Sequence, residues 1–283
     1  MRDARAFHFL RNYGFWRGVR RSVGRGDRWK RLTGCTRILM YHAFSETGES
    51  PGRYRVPVGA FRRQMLVLRA LGYTIIPLDE YLEHRCNHTL PPPRSVVLTV
   101  DDGYEDFFSG VLPILEARGL PATLFVVTGR VGDVNRGTDA GELAGRPIGG
   151  WTDLVSARDQ GVSMGAHTRS HPKLPLLDPD RAWEEIEGSR RELERRLGGP
   201  VESFAYPFGE STPEVEALVR KAGFKGALGV QEGVNSVATP RFDLRRIEVF
   251  GSDGLLRFGL KVLLGRTYLP RLRPRFPGRL LKK

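Results

Sequence analysis

Cysteine is scarce in this chain, and long apolar runs are absent. The 283 residues include two cysteines, Cys35 and Cys86, which show neither metal-site spacing nor a disulfide pattern. No stretch approaches the roughly 20 apolar residues of a membrane-spanning helix. The first segment has arginines throughout and no apolar run of the secretory type, so we expect the chain to act in the cytoplasm.

The net charge of +13 is concentrated at the two ends of the chain. Residues 1–40 hold eleven Lys/Arg against two Asp, and residues 255–283 hold nine Lys/Arg and no acid, which gives +9 at each end. Residues 41–254 carry 25 basic and 30 acidic side chains, a net charge of −5. Such ends suit peripheral contact with an anionic surface at the inner face of a membrane; solvated ends without a partner are the alternative. No recognised nucleic-acid-binding motif is present, so nucleic acid is not expected as a partner.

These charges divide the chain into three parts. We predict a basic N-terminal arm over residues 1–36, a folded body over 37–254 and a basic amphipathic tail over 255–283. The segment Leu255–Leu269 mixes leucines with three cationic side chains. It could lie as a short helix in a membrane interface, or it could be the last helix of the fold and pack on the core.

Predicted strands and helices alternate along the body. Val96–Val100 is a β-branched run typical of a strand buried on both faces. Asp180–Leu197 has the apolar spacing of an amphipathic helix, and Gly129–Gly150 is predicted to be a long loop. The alternation predicts an α/β fold, with a parallel sheet or a closed barrel in a single domain. In a parallel barrel the strand ends share one face, where active sites lie.

Polar residues with metal-binding chemistry follow two of these strands. Asp101 and Asp102 end the β-branched strand and point in different directions, so one carboxylate could bind a metal while the other acts as a base. An ordinary Asp-Asp-Gly turn is the structural alternative. His167 and His171 have a spacing at which two imidazoles often chelate one ion. One Asp and two His would supply three protein ligands and leave a position for water, as hydrolytic metal sites require.

Five strings, in this order, resemble the motifs of the polysaccharide deacetylase family, also called the NodB homology or carbohydrate esterase family 4 type. They are Ile38–His42 (ILMYH), Leu98–Gly103 (LTVDDG), Trp151–Leu154 (WTDL), His167–His171 (HTRSH) and Phe204–Gly209 (FAYPFG). The resemblance covers about residues 37–250. It implies a distorted (β/α) barrel of the deacetylase type over the predicted body.

The resemblance also implies roles for the matched residues. Asp101 would be the general base, and Asp102 would bind a divalent metal together with His167 and His171. Zinc is the expected metal, with cobalt or nickel as alternatives.

The third motif implies a substrate-binding role for two further residues. Tyr206, beside Pro207, would lie in the groove that holds the acetyl group, where a backbone N–H could stabilise an oxyanion. The structural alternative for Tyr206 and Pro207 is a tight turn at the end of a strand.

The sequence departs from the family pattern at two points. Many members carry in the third motif an arginine that orients the base, and Ala205 stands in that place. Arg246 is our hypothesis for its replacement, with a surface arginine as the alternative. Many members also carry a later histidine as the general acid, but no histidine follows His171. His42 is the candidate for that role; alternatively it is a buried histidine bonded to a loop, or Asp101 returns its own proton.

The expected function is hydrolysis of an N-acetyl group from an amino sugar in a polysaccharide, an oligosaccharide or a lipid-linked glycan. Two alternatives stay open. One is a non-catalytic membrane- or glycan-associated protein on a degenerate deacetylase barrel, and the other is a deformylase of a lipid-linked sugar.

Overall fold

A computed structural model describes residues 35–46, 52–136 and 141–269 of the protein. The strands are β1 (Arg37–Tyr41), β2 (Ala43–Ser45), β3 (Arg55–Pro57), β4 (Thr74–Ile75), β5 (Ser95–Asp102), β6 (Thr123–Val126), β7 (Ser163–Ala166), β8 (Ser203–Ala205), β9 (Gly226–Leu228) and β10 (Ile247–Glu248). The α-helices are α1 (Val58–Ala70), α2 (Leu78–Cys86), α3 (Leu112–Glu116), α4 (Trp151–Asp159), α5 (Pro179–Leu197), α6 (Pro213–Lys221) and α7 (Leu255–Leu264).

Eight strands form one parallel, curled sheet. Its order is β10-β1-β5-β6-β7-β8-β9, and β4 pairs with the first residues of β5 while β6 pairs with its last four. A separate pair, β2 and β3, lies outside this sheet. The sheet is a half-barrel with flanking helices, which confirms the predicted α/β fold with a parallel sheet in a single domain.

The sequence explains why β5 stands at the centre. All eight of its residues are buried, as a strand covered on both faces requires. The outer face contributes to the large core between the sheet and the helices, which includes Leu98 and Val100. Val97, Thr99 and Asp101 alternate with these residues, and Val97 belongs to the smaller cluster within the curled sheet. The inward-facing end of β5 therefore carries a carboxylate above an apolar floor.

Most predicted elements form close to their predicted bounds. The longest helix, α5, begins at Asp178, whose side chain accepts a hydrogen bond from the Arg181 N–H at 3.0 Å, and ends at Gly198 in the left-handed conformation (φ 70). The short strands β2 and β3 were not predicted, because three residues are too few to show a period. The turn before α3, Phe107–Val111, is π-helical and was not predicted either.

The segment after Gly254 packs on the fold. In α7, Phe258 and Val262 are fully buried, and the Lys261 ammonium contacts the buried Asp253 carboxylate at 2.5 Å. Of the two alternatives for residues 255–269, the structure thus shows a last helix on the core. Of the arm predicted over residues 1–36, residues 1–34 lie outside the described residues, and so does the part of the predicted tail from residue 270. Among the helices that are described, none has the length and apolar character needed to cross a membrane.

Candidate metal and catalytic site

The residues predicted to carry the chemistry meet at the carboxyl ends of the strands. Asp102 is level with Val126 on β6, and Val126 is level with Ala166 on β7, so His167 follows one position beyond that level. The His167 N–H donates to the Val126 carbonyl at 3.0 Å and extends the strand pairing by one residue. Parallel register therefore brings the aspartate and the first histidine together.

Asp102, His167 and His171 form a buried group that could hold a metal ion. Their ligand atoms all lie within 4.8 Å of one another. The Asp102 Oδ1 atom lies 3.6 Å from His167 Nε2 and 3.8 Å from His171 Nε2. These separations are too long for good hydrogen bonds. Two ligands about 2.1 Å from one tetrahedral ion would lie about 3.4 Å apart, so the set fits a divalent cation of the zinc type.

The first imidazole is oriented by the neighbouring strand. His167 Nδ1 lies 2.7 Å from the Ala205 carbonyl oxygen at the end of β8. A carbonyl can only accept, so Nδ1 carries the proton, and the lone pair of Nε2 is turned toward Asp102. Metal-binding histidines commonly have such a backbone partner on the second nitrogen.

The loop between the two histidines is fixed by α5. The Glu185 carboxylate accepts hydrogen bonds from the backbone N–H groups of Arg169 and Ser170, both at 2.8 Å, and from the Ser170 hydroxyl at 2.6 Å. Within the loop, the His171 N–H donates to Thr168 Oγ1 at 3.0 Å. Glu185 therefore positions His171, although no motif pointed to it.

Unusual backbone conformations concentrate at the site. Six non-glycine residues in the described ranges have positive φ, and four surround this cluster: Asp102 (φ 75), Thr168 (φ 65), His171 (φ 62) and Phe208 (φ 58). Such conformations cost of order 1–3 kcal/mol each and persist only where the surrounding structure imposes them. The local geometry is held by the fold against the preference of these residues, a situation common at functional sites.

Asp101 has a different partner from Asp102. Its Oδ1 atom accepts a hydrogen bond from Arg246 at 2.7 Å, and both side chains are almost fully buried. Arg246 also donates to the Gly229 carbonyl at 2.7 Å, which fixes the guanidinium. Burial raises the pKa of Asp101, but the charge of Arg246 and smaller contributions from His167 and His42 outweigh it, so the pKa lies below its usual value. Arg246 is thus no surface arginine, and it stands where the predicted replacement is needed.

His42 lies on the same face of the sheet. It follows β1 directly, is half-buried, and lines the same cavity as Asp101 and Asp102. Its ring packs edge-on against Tyr54, with 5.2 Å between the centroids. The structure therefore brings His42 to the cavity, and its role as proton donor stays a prediction.

The role expected for Tyr206 needs correction. Its backbone N–H donates to the Leu228 carbonyl at 3.0 Å, because the pairing of β8 with β9 continues one residue past Ala205. Its hydroxyl donates to the Phe242 carbonyl at 2.9 Å. Burial raises the pKa of the phenol. With the N–H and the hydroxyl both engaged, Tyr206 lines the cavity but is not suited to stabilise an oxyanion.

Phe208 is the residue of this motif that faces the metal ligands. Pro207 is buried and opens the short 3₁₀ turn Pro207–Gly209, the turn given as its structural alternative. Beyond it, the Phe208 ring packs against His171, with 4.8 Å between the centroids, and lines the cavity. The sequence offered one weak signal for this role, an aromatic residue between proline and glycine directly after a strand.

The cavity above these residues has a volume of about 590 Å³. Its outer wall comes from segments without a recognisable motif: Arg53, Tyr54, Glu142, Glu232, Glu248, Thr267 and Tyr268. Glu142 belongs to the loop predicted over residues 129–150 and accepts a hydrogen bond from the Arg55 N–H at 3.1 Å. The wall offers carboxylates, a guanidinium and aromatic rings, which suit a ligand with many hydroxyl groups.

Fold and site together define a class of protein. It is a parallel α/β half-barrel whose strand ends combine an Asp-His-His set with a second carboxylate paired to arginine. A family model described as Polysaccharide deacetylase matches residues 89–227, which contain both aspartates and both histidines. Residues 89–227 therefore form a domain of the polysaccharide deacetylase type.

Relatives of known name support this assignment. YxkH of Bacillus subtilis (strain 168) is 25% identical over 212 residues, which cover 75% of this chain and 70% of that protein. The poly-beta-1,6-N-acetyl-D-glucosamine N-deacetylase of Staphylococcus aureus (strain MRSA252) is 23% identical over 193 residues, 67% of this chain and 66% of that protein. The chain thus spans about two thirds of the length of these curated relatives. Among solved structures, the Streptococcus pyogenes deacetylase PplD in complex with acetate is similar, with a TM-score of 0.68 at 25% identity, covering 81% of this chain and 98% of that one.

Proposed function

We propose that the protein is a metal-dependent hydrolase that removes an N-acetyl group from an amino sugar in a polysaccharide, an oligosaccharide or a lipid-linked glycan. One observation carries the proposal: two adjacent buried carboxylates have separate partners. Asp102 lies between two imidazoles, and Asp101 is hydrogen-bonded to Arg246. The two carboxylates therefore have different surroundings, so that Asp102 can bind a metal while Asp101 acts as a base, as metal-assisted hydrolysis requires.

The residues around the cavity divide the reaction between them. A divalent cation, when bound by Asp102, His167 and His171, would lower the pKa of a neighbouring water and polarise a carbonyl group. Asp101, kept ionised by Arg246, accepts a proton from water as the new C–O bond forms at the acyl carbon.

The amide C–N bond then breaks, and the leaving amine needs a proton. His42 is the donor in this proposal; return of the proton by Asp101 alone is the alternative. In either case the products are acetate and a free amino sugar.

The substrate class follows from the wall of the cavity and from the relatives. The aromatic rings of Tyr54 and Tyr268 line the cavity and would pack against the faces of sugar rings, and the glutamates of the wall would accept hydrogen bonds from hydroxyl groups. The Staphylococcus aureus relative is named for an N-acetylglucosamine polymer, and the similar Streptococcus pyogenes structure holds acetate. Both names fit removal of an acetyl group from an aminoglycan.

Zinc is the proposed metal, with cobalt or nickel as alternatives. Two imidazoles and one carboxylate are the ligand types that borderline cations prefer, and magnesium or calcium would favour oxygen ligands. The cytoplasmic location expected from the sequence remains part of the proposal.

The test combines elemental analysis with an activity assay on the purified full chain. We expect near-stoichiometric zinc, or a similar divalent ion, in the wild type and in Asp101→Asn, and its loss in His167→Ala/His171→Ala. Acetate release from N-acetylglucosamine oligomers linked β-1,4 or β-1,6 should be seen with wild type and be lost in Asp101→Asn and in His167→Ala/His171→Ala. His42→Gln should retain metal and lose most of the activity if His42 is the proton donor.

His84→Ala, a histidine outside the cavity, is the matched control and should change neither metal content nor activity. Metal retained by the double histidine variant would contradict the site. If wild type binds metal but releases formate rather than acetate from a panel of N-acylated sugars, the result would favour the deformylase alternative. Metal bound without turnover of any acylated sugar would favour the non-catalytic protein.

A further inference from the structure

Helix α7 carries a row of leucines on its outer face. Leu256 is 80% exposed and Leu264 is 57% exposed, and Leu263 is 40% exposed. On a helix these positions lie on one side, opposite the fully buried Phe258 and Val262. We call this row, Leu256, Leu263 and Leu264, the leucine stripe. A short helix that presents apolar side chains both inward and outward needs a second apolar partner to cover the outer face.

The surroundings of the leucine stripe are cationic. Arg257 and Arg266, on or next to the same helix, are both exposed. The chain then continues from Leu269 into residues 270–283, which hold six Lys/Arg and no acid, interspersed with Leu272, Phe276 and other apolar residues. Exposed leucines among cationic side chains are the composition of segments that lie in the headgroup region of a bilayer.

The leucine stripe is adjacent to the mouth of the catalytic cavity. Two residues that line this cavity, Thr267 and Tyr268, follow α7 after a single turn. Tyr268 is 55% exposed, and its hydroxyl accepts a hydrogen bond from Arg53 on the cavity wall at 2.9 Å. A surface that covers the leucine stripe would therefore lie beside the entrance of the cavity.

We infer that the leucine stripe docks on a lipid bilayer that carries anionic headgroups. The leucines enter the interface, and Arg257 and Arg266 contact the headgroups. Two other partners could cover the leucine stripe, namely residues 1–34 of the same chain or a second copy of the protein, and repulsion between like charges opposes both. Residues 1–34 carry a net charge of +8, and a second copy would bring two cationic tails together. Docking would present the cavity to a lipid-linked saccharide, a consequence that rests on the proposed function.

The test is co-sedimentation of the full chain with vesicles of phosphatidylcholine, alone or mixed with phosphatidylglycerol. We expect wild type to bind the anionic vesicles and Leu256→Ser/Leu264→Ser to bind them about tenfold or more weakly, because two apolar side chains no longer enter the interface. The matched control is Leu90→Ser/Leu176→Ser, which changes two leucines that are 64% and 78% exposed elsewhere on the surface. It should bind as wild type does, and Leu256→Trp should bind at least as tightly.

Three results would overturn the inference. In the first, wild type does not bind, or the α7 variant binds as wild type does. In the second, wild type is a dimer that the α7 variant dissociates, so that the leucine stripe covers a second copy. In the third, vesicle binding is absent and the α7 variant unfolds at a lower temperature than the control pair. That result would mean that residues 1–34 of the same chain cover the leucine stripe. Acetate release from a soluble oligomer, read on the same preparations, distinguishes failure of this inference from failure of the proposed function.

Discussion

At the scale of single residues, the position of a charge matters more than the motif that supplies it. Ala205 stands where many family members carry an arginine, yet Asp101 still has a guanidinium at 2.7 Å. Arg246 reaches it from the start of β10, and its contact with the Gly229 carbonyl holds it in place. A buried carboxylate without such a partner would be protonated and could not accept a proton from water.

Replacing Arg246 by glutamine should therefore move the pH dependence of the reaction. In wild type the pKa of Asp101 lies below its usual value, so we expect Asp101 to remain an ionised base as the pH falls. Without the guanidinium, burial dominates and raises this pKa, so the acid limb of the profile should move to higher pH. We expect kcat/KM at neutral pH to fall by about tenfold to a hundredfold, with metal content unchanged. The exposed neighbour Arg245→Gln is the control, and an acid limb at the wild-type pH in Arg246→Gln would refute the role.

The sequence identified those site residues whose chemistry and strand-end position coincide. One of the two aspartates could be grouped with His167 and His171 in advance because parallel strands deliver their ends to one face, and the family resemblance singled out Asp102 as the ligand. Phe208 was not assigned a role, because its one signal, an aromatic residue between proline and glycine, does not reveal a left-handed backbone at a residue other than glycine. Tyr206 was misassigned because the sequence does not reveal that strand pairing extends to its N–H.

At the scale of elements, the histidine loop depends on a helix that contributes nothing to the cavity itself. Glu185 on α5 accepts three hydrogen bonds from the loop between His167 and His171. The side chain thereby acts through His171 rather than on a substrate, and it is a positioning residue.

Removal of this carboxylate should weaken metal binding. For Glu185→Ala we expect the dissociation constant for zinc, measured by competition with a chromogenic chelator, to rise about tenfold to a hundredfold. Saturating zinc should restore most of the activity, which a base or acid variant would not show. Glu184→Ala, the exposed neighbour on the same helix, should match wild type. Equal zinc affinity in the two variants would mean that the loop holds its shape without α5.

Elements with a long period were the predictable part of the fold. Helix α5 and the fully buried β5 show a repeat over many residues, and both form close to their predicted bounds. The three-residue strands β2 and β3, which pair with each other outside the main sheet, were not predicted. Segments of that length are too short to show either pattern, so their conformation depends on what they pack against.

At the scale of the whole molecule, the cavity wall joins parts of the chain that no local pattern connects. Arg53 and Glu248 lie almost 200 positions apart and form an ion pair at 3.4 Å beside the site. Such pairs follow from the curl of the sheet, which brings β10 next to β1 at the other end of the chain. The sequence could therefore place the reacting groups but not the surface that selects the glycan.

The distribution of charge along the sequence predicted that the folded body ends at residue 254. In the structure, the packed core continues through α7. Phe258 is fully buried in the main core beneath this helix. The substitution Phe258→Ala should lower the free energy of unfolding by about 3–5 kcal/mol, because a large apolar contact is lost and a cavity remains. Leu256→Ala on the outer face should cost less than about 0.5 kcal/mol. A Phe258→Ala variant as stable as wild type would mean that α7 is a separable tail, and the cavity mouth formed by Thr267 and Tyr268 would then not be a fixed part of the site.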